Sequence, residues 1–186
     1  MNRLMLRLLA IAGPLAVTGA TLSTPAASQS ASSAVPSVRM MKDIPDAGEK
    51  PDPQATYRIV FDVQSMPDDA SEVSEALQSI GGLVNTYRHF GVPADHLQTV
   101  AVFHGRTILL VASDAVYARR TGAAKNPNAA LLRELGLAGV ELVVCGQSAS
   151  AQHYGPADYL PKVRTNLSAT VTFINLQTRG YVKVTE

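Results

Sequence analysis

The chain has 186 residues, 46% hydrophobic and 17% charged, with a formal net charge of +1. That is enough apolar material for one sizeable core, and so neutral a balance excludes the basic footprint of a nucleic-acid-binding protein. Trp is absent and aromatics are 5%, which leaves no platform for stacking bases or sugars.

The N-terminus reads as a targeting segment. Arg3 and Arg7 precede the apolar run Leu8–Val17, and small residues follow at Thr24-Pro25-Ala26-Ala27-Ser28. Positive, apolar and small-residue regions in that order predict a secretory signal peptide over residues 1–28, and hence a periplasmic or secreted protein. Cleavage after Ala20 is the rival. Gly13-Pro14 interrupts a run already short of the roughly 20 residues a span needs, so no stable membrane insertion is expected after cleavage. Without residues 1–28 the balance is 14 basic against 15 acidic residues. Residues 29–56 are rich in Ser, Ala and Pro and are expected to form a flexible linker.

An α/β domain is predicted over residues 57–186. Tyr57–Val63 reads as a strand. Helix is expected from about Ala70, with Asp69 and Glu72 as a capping box and Val73, Ala76, Leu77, Ile80, Val84 and Tyr87 as the apolar stripe. Gly81-Gly82 lies inside that stripe, and close packing on the sheet or on another subunit would explain it. Leu97–Gly105 is the second strand. Residues 107–112 fit strand or helix. A short helix follows from Asp114, and Asn126-Pro127 opens another, with Leu131, Leu132 and Leu135 inward. Val140–Cys145 is a buried strand closed by Gly146, and Ser148 is expected to cap the turn of helix beyond it. A short strand at residues 162–165, a helix capped by Ser168 and a last strand at residues 181–184 complete the chain. Strand and helix alternate throughout, which predicts a parallel sheet covered on both faces.

Cys145 is the single cysteine. It has no internal disulfide partner, and it ends a strand beside a helix start, where partial positive charge favours thiolate. A small buried hydrophobe at a strand end is an equally open account. His104 ends its own strand next to Gly105, as Cys145 does next to Gly146. If the two strands are neighbours, His104 can hold the thiolate as an ion pair, with Gly146, Gln147 and Ser148 supplying amides. No metal-ligand spacing, Gly-rich phosphate loop or Gly-x-Ser-x-Gly elbow is present, so neither metal nor cofactor is expected. Arg119-Arg120 reads as a solvated helix end.

Tyr57–Val63, Val100–Gly105 with its Phe-His-Gly end, Asn126-Pro127-Asn128, Val140–Ser148 and Gln177–Tyr181 together resemble the DsrE/DsrF-like (YchN-like) family. The resemblance covers residues 57–186. It implies a three-layer α/β/α sandwich with a five-stranded parallel sheet in order 4-3-2-1-5. It also implies homo-oligomers, commonly trimers or hexamers, or heteromers of related subunits, and, for the sulfur-relay members, a persulfide carried at the position of Cys145. The expectation is therefore an exported sulfur carrier or sulfurtransferase-like protein with a protein sulfur donor or acceptor. The alternative is a non-enzymatic oligomeric binding module with an inert cysteine. The export signal and the Gly-Gln-Ser after Cys145 depart from the relay members.

Overall fold

The computed structural model describes residues 33–186; the expected signal peptide lies outside the described residues. Five strands form one parallel sheet: β1 (Tyr57–Val63), β2 (Leu97–Phe103), β3 (Val140–Cys145), β4 (Arg164–Asn166) and β5 (Val182–Thr185). Their order is β4-β3-β2-β1-β5, as the resemblance implied. Apolar, β-branched runs make β1 to β3 central, because such strands are buried on both faces. The polar trio Arg-Thr-Asn of β4 and the exposed Val182 and Lys183 of β5 lie at the edges.

The two faces are covered unequally. On one, Phe61, Phe103 and Val144 pack with Leu77, Ile80 and Val84 of α1 (Glu75–His89) and Leu132 and Leu135 of α3 (Ala129–Leu137). Val116 and Tyr117 of α2 (Asp114–Thr121) join this core. The opposite face carries a smaller cluster, Val60, Val100, Val102, Val143 and Cys145, covered by α5 (Ala169–Gln177) through Ala169 and Leu176. Val171 and Ile174 of α5 stay exposed. Among the described residues, no helix is long and apolar enough to cross a membrane.

Several local expectations change. α1 starts at Glu75, because Ser74 is its cap and accepts from Leu77 N at 3.5 Å. Asn128 Oδ1 fixes that start by accepting from Ser74 N. Asp69 instead closes a turn on the amide and hydroxyl of Ser71. Residues Gly105–Val111 form a 3-10 helix whose Ile108, Leu110 and Val111 are fully buried. Asn126 does not cap α3. It is buried in the loop and donates to the carbonyls of Leu110 and Ala112.

The expected flexible linker is, in its described part, a strap anchored on α1 and α3. Val35 is fully buried, which contributes about 1.5–3 kcal/mol. Asn85, also buried, accepts from Val35 N and donates to the carbonyls of Val35 and Val38. Thr86 Oγ1 takes the amide of Met41, and Glu134 takes the amide and hydroxyl of Ser37. This strap also explains the helical glycines. A Cβ on Gly81 would lie 3.1 Å from Val38 Cγ2, and one on Gly82 would lie 3.2 Å from the carbonyl of Arg39. The close neighbour is therefore neither the sheet nor another subunit.

Candidate functional site

Strand register assembles the site. Side chains alternate between faces along a strand, so paired residues share a face. Phe103 pairs with Val144, and the next residues, His104 and Cys145, come side by side on the α5 face. Asp62 pairs with Val102, Lys183 with Val60, and Cys145 with Asn166, all on that face. The result is a polar row across the sheet, Lys183, Asp62, His104, Cys145 and Asn166, contributed by β5, β1, the end of β2, β3 and β4. Phe173 of α5 lies over it, edge-on to the His104 ring at 6.4 Å and 4.7 Å from Lys183 Nζ.

Cys145 is the N-cap of α4 (Gly146–Ala151), so the thiol itself does what was expected of Ser148. Its Sγ accepts from Ser148 N at 3.5 Å. Burial works against the thiolate, but the hydroxyl and amide of Ser148 and the amides of Ala169 and Gln147 outweigh it. The thiol pKa is lowered from 9.0. Two helix starts thus converge on one sulfur, those of α4 and α5. Gly146 makes the convergence possible: a Cβ there would lie 2.7 Å from the carbonyl of Asn166 and 3.3 Å from that of Leu167.

An open thiol at the sheet rim is not what forms. Cys145 is 5% exposed, packed among Val143, Val60, Ala169 and Leu176. The first residues of α5 lie over the strand end and cover it. A groove of about 600 Å³ runs along α5 and reaches Asn166 and Thr172, but not Cys145.

His104 turns away from the role expected of it. Its Nε2 lies 2.7 Å from Asp62 Oδ1, and no hydrogen bond joins it to Cys145 among the described residues. Asp62 is almost wholly buried. Burial alone would raise its pKa, but hydrogen bonds from Lys183, His104 and Gln64 hold it below 3.8. Lys183 Nζ is 2.7 Å from the second carboxylate oxygen. Neither Asp62 nor Lys183 was singled out from the sequence. The available signal was one acid inside the apolar run Tyr57–Val63, at the parity of Val60 rather than Phe61. Gln147 is exposed at the first turn of α4. Arg120 stacks on Tyr154 at 3.9 Å and donates to Gln152, and Arg119 lies 4.0 Å from Asp158, so this pair is structural.

Residues 58–185 match the model of the DsrE/DsrF-like family. The chain belongs to the DsrE/DsrF-like family. Among curated proteins, none matches it. Among solved structures, this DsrE/DsrF-like chain is similar to a protein of unknown function, MTH1491, from Methanobacterium thermoautotrophicum. The TM-score is 0.51 at 18% identity, over 70% of this chain and 99% of that one. At that identity the likeness speaks for the fold alone. The described residues that precede the match, 33–57, contain the strap on α1 and α3.

Proposed function

We propose that the chain is an exported sulfur carrier, or a sulfurtransferase-like protein, in which Cys145 accepts a sulfane sulfur and holds it as a persulfide. The convergence of amides from α4 and α5 on Sγ carries this reading. It favours a sulfur anion in an otherwise apolar surrounding, and a persulfide has the same need. Gly146 and Ser148 supply the close approach and a hydroxyl, and Gln147 an amide. Export rests on the targeting pattern of residues 1–28. Assembly into homo-oligomers is supported by the apolar side chains left exposed on and just before α5, namely Leu167, Val171 and Ile174.

The 5% exposure of Cys145 favours a second reading, a binding module in which the thiol is inert filling. Polysulfide treatment followed by intact mass measurement separates them. The carrier gains one or more sulfur masses on the wild type and none on Cys145→Ser. No gain on the wild type, or equal gain on both, removes the carrier reading. Alkylation only after denaturation then supports the module.

A further inference from the structure

A cleft lies at the end of β3 away from Cys145. Its volume is about 390 Å³, and it runs between the C-terminal end of α3, the first residues of β3 and the turn before β4. Buried Leu132, Val140 and Leu142 form its floor, with exposed Leu137 and Pro161 at its sides. Gly136 and Gly139 keep it open. Gly139 is fixed by the backbone, since its φ of +100° makes the left-handed turn after α3. Gly136 has no such reason. It sits inside α3, where Gly is less favourable than Ala, and its Cβ position has nothing within 4 Å. Gly81 and Gly82 make room for the strap; Gly136 makes room for none of the described residues.

The rim of the cleft is cationic. Arg133, Lys162 and Arg164 line it against one acid, Glu141, which Arg164 already pairs. Arg133 and Lys162 form no ion pair among the described residues. Lys162 is also held there under strain. It follows Pro161 in a turn closed by Val163 N donating to the carbonyl of Leu160 at 3.3 Å, and its φ is +71°. That position suits Gly, and a side chain there is unfavourable. A lone surface cation is ordinary, and so is a small apolar hollow. Here two unpaired cations stand over an apolar hollow large enough for a small molecule, which is the make-up of a ligand site.

We infer that this cleft binds a small carboxylate with an apolar tail. The tail lies over Gly136 between Leu137 and Pro161, and the carboxylate meets the guanidinium of Arg133 and the ammonium of Lys162. Burial of the tail supplies the affinity, and the two cations reject cationic molecules of the same shape. The site is separate from the thiol, so it stands whether or not Cys145 carries sulfur.

Isothermal titration calorimetry of the full chain with decanoate tests the site. One decanoate should bind per chain. Octanoate should bind about fifteenfold more weakly, because each methylene lost weakens binding about fourfold. Decyltrimethylammonium, with the same tail and the opposite charge, should not bind. Arg133→Gln/Lys162→Gln should weaken decanoate binding about tenfold. Arg106→Gln/Lys125→Gln removes as much charge outside the cleft and should leave binding unchanged. Gly136→Leu should abolish binding while the circular dichroism spectrum and melting curve keep their native form. No binding to the wild type overturns the site, as do equal losses in the two charge variants or unchanged binding by Gly136→Leu. Binding to phosphatidylglycerol vesicles without binding to monomeric decanoate would give the cleft to a membrane surface. A light-scattering mass that falls on Gly136→Leu would give it to a second copy of the chain. Either result overturns the small-ligand site.

Discussion

Replacing Gly146 by Ala tests the convergence on the sulfur most directly. The added Cβ would sit 2.7 Å from the carbonyl oxygen of Asn166 and 3.3 Å from both the carbonyl of Leu167 and Thr165 Cγ2. Carbon and oxygen settle at about 3.3 Å or more, so the backbone must open by roughly 0.6 Å. Two of the opposing atoms are main chain and cannot swing aside. Overpacking of this kind costs about 1–3 kcal/mol, and the gain in helix propensity offsets up to about 1. A net loss of about 1–2 kcal/mol should lower the melting temperature by roughly 3–8 °C for a chain of this size. The loop that opens also carries the Ala169 amide, so the thiol should titrate at higher pH than in the wild type. Urea unfolding and the pH dependence of alkylation report the two effects. Gly136→Ala is the control, since Gly136 lies in α3 with nothing within 4 Å of its Cβ position. It should be neutral or stabilising by up to about 1 kcal/mol. If Gly146→Ala matches Gly136→Ala in stability and leaves the thiol titration unchanged, the account of the site is wrong.

Asn85→Ala removes three hydrogen bonds to the strap and strands the buried amide of Val35. A loss of about 2–4 kcal/mol in urea unfolding is expected, and a loss under 0.5 would mean that the strap does not hold. Asp62 has its folded pKa lowered, so its contribution is complete above the unfolded value near 3.9 and drains away as pH falls through the folded value. Stability should therefore drop on acidification below about pH 4, and the Asp62→Asn/Lys183→Met variant should show a shallower drop. An unchanged slope would refute the assignment. Ile174→Glu places a charge on the exposed face of α5. It should reduce the mass seen by light scattering while leaving the melting temperature within a few degrees, and an unchanged mass would move the assembly surface elsewhere.

What could be read in advance followed the strength of the local signal. The runs Leu142–Cys145 and Thr99–Phe103 announced buried parallel strands because four or five β-branched or apolar residues in a row, bounded by glycine, suit a strand covered on both faces. Their parity also carried real information, since it put His104 and Cys145 on one face once the strand order was known. The helix entries were less legible. Ser74 and Asp69 are both good caps, and the choice was made by Asn128, 54 residues away, which holds the Ser74 amide. Composition also misled at residues 33–41. A Ser- and Pro-rich stretch cannot build a core, but a single Val35 can fill a slot provided by other residues. Asp62 escaped notice because a lone acid in a strand is only interpretable once its partners are placed, and Lys183 lies 121 residues away.

The strap has a consequence for where this molecule begins. The family match opens at residue 58, but a chain cut there would carry two bare helical glycines and a vacated valine socket on its outer surface. The amide clamp of Asn85 would face water with its natural occupant gone. The compact unit thus reaches beyond the residues that the family model matches, and the strap acts as a clasp fastened from outside the sheet.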